Sequence, residues 1–224
     1  MFGKIQDTLF LFVKRNNMKR AFCFDLDGTI TQEEILPEIA RNVGIHEEIE
    51  ILTKITMQGL MTFDKSMKLR VKLLSTIPIS DVQKVVSRIK INKDIQNFIK
   101  ENKENCFIVT GNLDVWVKDF IENNFGCEFF SSQADYKDNM LLGINNIIQK
   151  SSAVKSLNDR FDSIVTIGDG MNDCSMFEAG DIGIAYGGVH PPVPTLIKLS
   201  DYVCYDGGTL VNLLNALNRN TDES

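Results

Sequence analysis

Ala21-Phe-Cys-Phe-Asp25-Leu-Asp27-Gly28-Thr29 is the stretch on which the reading of this chain turns. Its first four residues carry no charge and no polar break, which reads as a strand buried on both faces. They run straight into two carboxylates set two positions apart. Crowding like charges at the edge of a core is costly unless something neutralises them. The pair therefore raises the question of what it is for.

Outward from this stretch the chain alternates between two textures. Residues 33–100 are helical in pattern. Ile35, Ile39 and Val43 recur at four-residue spacing ahead of Gly44, a helix stop. Ile49, Leu52 and Ile55 mark a second helix, and Phe63, Met67, Val71 and Leu74 a third that ends near Pro78. Ser80-Asp-Val-Gln83 fits a capping box ahead of Val82, Val85, Val86 and Ile89. Past residue 101, short apolar strands are expected at 106–110, 128–130, 164–167, 182–185 and 202–205. Helices are expected at 114–121, 151–161, 173–179, 195–199 and 209–217. Strands alternating with helices predict a parallel sheet covered on both faces. The expected organisation is an α/β core of residues 18–32 and 101–224, interrupted directly after the first strand by a helical cap, 33–100. Residues 1–17 are an N-terminal extension with no assigned function. Their longest apolar run, 9–13, is too short to span a bilayer or to form a signal core.

The 224 residues hold 24 Lys plus Arg against 30 Asp plus Glu, a net charge of −6. A mildly acidic chain without a basic block is a poor partner for nucleic acid or an anionic membrane. Cys23, Cys106, Cys127, Cys174 and Cys204 are scattered without a CxxC pair. They read as small hydrophobes of a reducing compartment, so the expected location is cytoplasmic.

Ligands of such sheets gather beyond the carboxyl ends of the strands. Polar residues stand at those places: Asp25, Asp27, Gly28 and Thr29 after the first apolar run, Thr110, Gly111 and Asn112 after the second. Gly168, Asp169, Gly170, Asn172 and Asp173 follow 164–167. Three strand ends thus deliver four aspartates to one edge. The chain has two histidines, His46 and His190, neither in a ligand-spaced pattern, so zinc or iron is not expected. All-oxygen ligation suits Mg²⁺, which takes one or two carboxylates, waters and a substrate phosphate. A phosphate also accounts for Gly28, Gly111 and Gly170, where backbone N–H groups can approach an anion. Each fragment alone has a plainer reading as a turn, with Asn172 as a helix cap. A calcium loop fails, because Ile30 stands where its sixth position needs glycine. The conjunction on three strand ends carries the argument.

Asp25-x-Asp27-Gly28-Thr29, then Thr110, a lysine, and Gly168-Asp169-Gly-x-Asn172-Asp173 resemble the haloacid dehalogenase-like superfamily of phosphohydrolases, over residues 20–217. The resemblance implies a Rossmann-like core with a mobile cap and an aspartate nucleophile. It makes Asp25 the group that attacks phosphorus. Asp27 becomes the proton donor to the leaving alkoxide and then the acceptor from water. Mg²⁺ would be held by Asp25, the Asp27 backbone carbonyl and Asp169, with Asp173 in support. Gly28, Thr110, Gly111, Asn172 and the lysine would hold phosphoryl oxygens. The expected lysine is Lys150, just ahead of the apolar face of Val154, Leu157 and Phe161; Lys155 lies on another face, suited to solvent.

Inside the insert, Glu33-Glu34-Ile35, Ile39-Ala40-Arg41, Met57-Gln-Gly59, Phe63-Asp-Lys-Ser66 and Leu69-Arg70-Val71 are similar to the helical cap of phosphoserine phosphatases. There the matching residues line the substrate pocket. Glu34 would meet the substrate ammonium and Arg70 its carboxylate in a bidentate pair, while Met57 and Phe63 shape the wall. Read without the resemblance, Met57 and Phe63 are also ordinary core, and Glu34 a helix-start carboxylate. Two features depart from that family. Asn112 stands where glycine is usual and puts bulk beside the substrate, and 187–194 has no assigned role. The expected activity is Mg²⁺-dependent hydrolysis of a small phosphorylated metabolite through an aspartyl-phosphate, with O-phosphoserine, and so serine biosynthesis, first. The alternatives are another small phosphomonoester, or transfer to an acceptor other than water. A receiver-like regulatory domain would lack Asp27, the Asn172-Asp173 pair and the cap.

Overall fold

Arg20–Phe24 forms β1, the middle strand of the sheet in the computed structural model, which describes residues 18–219. Residues 1–17 and 220–224 lie outside the described residues, and so does the Met57 side chain. On one side β1 pairs in parallel with β2 (Cys106–Leu113), and on the other with β5 (Ser163–Gly168). Beyond β2 comes β3 (Glu128–Lys137), with β4 (Met140–Asn146) antiparallel at the edge. Beyond β5 come β6 (Ile182–Tyr186) and β7 (Tyr202–Cys204), both parallel. The sheet of seven strands therefore runs β4-β3-β2-β1-β5-β6-β7, a Rossmann-like order that reverses at β1. Ligands of open α/β sheets bind at such a reversal.

The apolar run of β1 is unbroken because both of its faces are covered. Phe22 and Phe24 point to one side, where the Phe98 ring of α5 (Lys93–Glu101) meets Phe22 nearly edge-on at 5.3 Å. Ala21 and Cys23 point to the other, onto Val154, Leu157 and Phe161. Asn92 caps α5 by accepting from the Asp94 and Ile95 N–H groups, one of the stronger N-cap residues.

Between β1 and α5 lie α1 (Ile35–Arg41), α2 (His46–Met57), α3 (Phe63–Leu74) and α4 (Ile79–Val86). Gly44 takes the left-handed φ of +73° that a stop after α1 needs. The chain leaves the sheet and re-enters it side by side. Thr31 bridges Ile91 in antiparallel sense, the Gln32 N–H donates to the Lys90 carbonyl at 2.9 Å, and the Asn92 N–H to the Ile30 carbonyl at 2.9 Å.

Four expectations are corrected. Ser80 and Gln83 make no capping box: α4 starts at Ile79 after Pro78, without a side-chain cap. Ser80 instead exchanges hydrogen bonds with the Asn139 side chain, and Gln83 donates to the Val115 carbonyl. The helix expected over 151–161 is α7 (Lys150–Lys155) followed by turns through the weak helix formers Asn158 and Asp159. That expected over 173–179 is a 3₁₀ turn, Met171–Asp173, then one turn of α8 (Cys174–Phe177). Thr110, Gly111 and Asn112 are inside β2 rather than after it. β4 itself was not expected. Its hairpin turns at Asp138 and Asn139, whose φ of 48° and 67° suit a tight two-residue loop without glycine. The remaining helices, α6 (Asp114–Asn124), α9 (Pro194–Leu199) and α10 (Gly207–Arg219), lie where expected with one to three residues added at their ends. Four of the five cysteines are buried, none in a disulfide. No helix among the described residues is long and apolar enough to cross a membrane.

Candidate active site

The carboxyl ends of β1, β2 and β5 meet in a crevice that is closed on its far side by α1, α2 and α3. Asp25 follows β1, buried, its N–H donating to the Ile167 carbonyl of β5 at 2.8 Å. Lys150 is the first residue of α7 and equally buried. Its ammonium donates to Asp25 Oδ1 and, at 2.7 Å, to Asp173 Oδ1. Lys155 is exposed. The second Asp173 oxygen accepts from the N–H groups of Asp169 (3.1 Å) and Gly170 (3.0 Å), so Asp173, and not Asn172, closes the turn after β5. That closure explains Gly168: a Cβ there would lie 2.5 Å from the Asp173 carboxylate. Asn172 lines the crevice.

Carboxyl oxygens of Asp25, Asp169 and Asp173 lie within 4.8 Å of one another. Asp169 Oδ2 is buried and has no hydrogen-bond partner. Gly28 stands against it with a φ of +71°, at a distance where a Cβ would come within 2.8 Å. Burial raises the Asp25 carboxyl well above its ordinary range, opposed by Lys150 and reinforced by Asp173 and Asp27. Asp169 is raised by burial, by Asp173 and Asp25, and by Glu34. For Lys150, burial pulls downward, but Asp173 and Asp25 overcome it and the net shift is upward. One ammonium for three carboxylates leaves negative charge over, and one carboxylate oxygen of the trio is orphaned. A hard divalent cation with oxygen ligands fits this set.

Asp27 stands at the crevice rim with both oxygens engaged. Oδ1 accepts from the Ile35 N–H at 2.8 Å, the first amide of α1, and Oδ2 from the Asn112 side-chain amide. Burial and then Glu34 push its pKa up to about 7, against the pull of the Ile35 N–H, Lys150 and Asn112. A carboxyl poised there can both give and take a proton near neutral pH. Thr110 is wholly buried, its hydroxyl oxygen accepting from both nitrogens of Asn112 at 3.2 Å.

From the insert, Arg70 reaches the crevice buried. Its Nη2 donates to Thr56 Oγ1 at 3.3 Å and its Nε has no partner. Burial lowers its pKa, opposed by Glu34 and Asp27. The Glu34 carboxyl is raised to about 7 by burial, then Asp25 and Asp173, with Arg70 opposing. The Phe63 ring rests on Gly111 so closely that a Cβ there would meet it at 2.2 Å. Met57 ends α2, but its side chain is not described. The structure thus brings Asp25, Asp27, Gly28, Glu34, Phe63, Arg70, Gly111, Lys150, Asp169, Asn172 and Asp173 to one crevice, with Thr110 directly behind Asn112.

Two contributors were not assigned from sequence. Asn112 was read as bulk, yet it holds Asp27. The period of two along a strand puts it on the same face as Thr110, which was the available signal. Residues 187–194 fold over the rim. The Val193 N–H donates to the Asp169 carbonyl at 3.1 Å, and His190 Nε2 stands 3.7 Å from Glu34 Oε1. No motif announces that approach.

A profile of haloacid dehalogenase-like hydrolases matches residues 19–181. The chain is 32% identical to a phosphoserine phosphatase of Methanocaldococcus jannaschii over 183 residues, covering 75% of this chain and 85% of the relative. A phosphoserine phosphatase of Streptococcus thermophilus is 27% identical over 184 residues, covering 76% and 85%. Among solved structures, a phospho-aspartyl intermediate analogue of phosphoserine phosphatase matches with a TM-score of 0.76 at 29% identity, over 88% of this chain and 99% of that one. A substrate-bound phosphoserine phosphatase complex matches at 0.74 and 28%, over 89% and 98%. With nearly three quarters of its length inside that profile, the chain belongs to the haloacid dehalogenase-like hydrolases.

Proposed function

We propose that the protein is a Mg²⁺-dependent phosphatase that releases phosphate from O-phosphoserine. The observation that carries the reading is the meeting of two halves in one crevice. The Asp25–Lys150–Asp173 cluster with its orphaned Asp169 oxygen faces a buried arginine whose Nε lacks a partner and a carboxylate, Glu34.

In this reading an Asp25 oxygen forms a bond to phosphorus while the bond from phosphorus to the serine oxygen breaks. Asp27 gives its proton to that oxygen, so serine leaves neutral at its hydroxyl. Asp27, now ionised, takes a proton from the water that attacks the aspartyl-phosphate, and Asp25 is released with inorganic phosphate. Thr110, Asn172, Lys150 and the backbone around Gly28 and Gly111 hold the phosphoryl oxygens. Asp25, Asp169 and the Asp27 backbone carbonyl would hold Mg²⁺, with Asp173 oriented behind them by the Asp169 and Gly170 amides. Bound there, the ion supplies positive charge against the carboxylates and the transferring phosphoryl group. Glu34 meets the substrate ammonium, Arg70 its carboxylate, and Met57 and Phe63 bound the pocket. The divided roles fit a helical cap that leaves the sheet near Thr31 and returns near Ile91, with α5 packed on β1.

The test is phosphate release from O-phospho-L-serine with Mg²⁺, by wild type and Arg70→Ala, with an aryl phosphate as comparison. Loss of a desolvated charge-assisted pair is worth about 2–4 kcal/mol, or roughly 30- to 1000-fold in kcat/KM on phosphoserine. The aryl phosphate, with neither amine nor carboxylate, should change far less. Equal losses on both, or wild-type preference for an ester lacking those groups, overturns the assignment of substrate.

A further inference from the structure

Asn112 sits at the end of β2, 4% exposed, and spends its side-chain amide on two partners. One hydrogen goes to Asp27 Oδ2 and the other to Thr110 Oγ1 at 3.2 Å. The NH₂ end of that amide faces Asp27, as it has to once Asp27 has given up its proton, since an ionised carboxylate only accepts. With the Ile35 N–H on Oδ1 at 2.8 Å, Asp27 is held from two sides by two different elements. A carboxylate gripped at both oxygens cannot rotate about its Cβ–Cγ bond without breaking one of the two hydrogen bonds. Each oxygen still has a lone pair free for a proton.

We infer that Asn112 is a positioning residue for proton transfer: it fixes the Asp27 carboxyl so that its proton points at the oxygen leaving phosphorus. The inference rests on the function proposed above and adds to it a residue that was expected only to crowd the substrate. During the first half-reaction the bond from phosphorus to the leaving oxygen breaks, a bond to Asp25 forms, and the Asp27 proton moves to the departing oxygen. A misaligned acid slows that step only where the departing oxygen needs the proton. Poor leaving groups such as serine need it, whereas a nitrophenolate departs without it. The same amide has a second consequence. Thr110 Oγ1 accepts twice from Asn112, at 3.2 Å each, so its own hydrogen remains free to donate to a phosphoryl oxygen.

The two effects separate in a series of substituted phenyl phosphates that differ in leaving-group pKa. The readout is kcat/KM, which reports only steps through the first irreversible one, in wild type, Asn112→Ala and the near-isosteric Asn112→Leu. Thermal unfolding confirms that each variant folds. Lost help from Thr110 lowers the whole series by one factor. Lost alignment of Asp27 steepens its slope: roughly 10- to 100-fold slower at the poor-leaving-group end, and less than about threefold at p-nitrophenyl phosphate. Wild-type activity with parallel lines in both variants overturns the inference and leaves the proposed function standing. Wild type inactive on every member and on O-phosphoserine overturns the function and this inference with it.

Discussion

Replacing Lys150 with methionine removes the ammonium that stands between Asp25 and Asp173, while keeping the length of the side chain. Both carboxylates and the lysine are at most 5% exposed, so no water takes over the pairing. Breaking a buried pair by deleting one partner costs about 3–5 kcal/mol. For a chain of this size each kcal/mol moves the Tm by roughly 2–4 °C, so Lys150→Met should melt roughly 6–20 °C below wild type in chelator. The loss should depend on pH with a definite sign. Burial already raises the folded-state carboxyl of Asp25 above its unfolded value, and removing Lys150, which opposes that shift, raises it further. A carboxyl raised on folding contributes stability below its unfolded pKa, near 4, and loses it as pH climbs through the folded value. The two proteins lose this stability in parallel up to the wild-type folded value and diverge above it, so the deficit should be larger at pH 9 than at pH 7. Mg²⁺ should restore part of the Tm, because it supplies charge to the same oxygens, without restoring turnover. Circular dichroism melts of both proteins at two pH values, with chelator and with Mg²⁺, measure all of this. A deficit under about 3 °C at pH 9, or one that does not grow with pH, would refute the picture of Lys150 as the cluster's counter-charge.

Two further substitutions probe the same crevice. Asp25→Asn should keep its fold by circular dichroism and lose phosphate release on the order of a thousandfold or more, and appreciable turnover by a mass-verified sample would remove Asp25 as nucleophile. Gly111→Ala drives a methyl into the Phe63 ring, which has to move from its place on the crevice wall. Overpacking of this kind costs about 1–3 kcal/mol, so the Tm should fall and KM rise, with Phe63→Leu in the same chain relieving both. Unchanged KM in Gly111→Ala would show that Phe63 does not shape the pocket.

Asp25 to Thr29 placed the switch strand and the chemistry because an unbroken apolar run ending in paired carboxylates has few structural explanations. The resemblance asks for a lysine and the Val154, Leu157 and Phe161 stripe selects Lys150 over Lys155; its ammonium lies 2.7 Å from Asp173. Features set by tertiary contact escaped. β3 alternates weakly, its outer half is exposed, and its Asp138-Asn139 turn lacks the glycine that usually marks such a hairpin. Ser80 and Gln83 matched a local capping pattern, yet both found partners more than 30 positions away, in the hairpin turn and in α6. Local pattern proposes hydrogen bonds, and a distant partner with better geometry takes them. His190 and Asn112 belong to the same class: their neighbours Glu34 and Asp27 are more than 80 residues off in sequence.

The bridge of Thr31 to Ile91 has a consequence for how this architecture varies. The outgoing and returning segments are neighbours in an antiparallel pair, some 5 Å apart. Everything between them hangs from the sheet by a two-stranded stem, so the core has little loop-closure entropy to supply whatever the length of the excursion. A shorter or wholly different segment grafted onto the same stem would leave β1, β2 and β5 in register. Asp25, Asp169 and Asp173 would stay where they are, while the outer walls of the crevice, and with them the Ile35 N–H that holds Asp27, were exchanged. The carboxylates at the sheet edge and the outer walls of the crevice are thus carried on separately replaceable pieces, joined at Ile30–Gln32 and Lys90–Asn92.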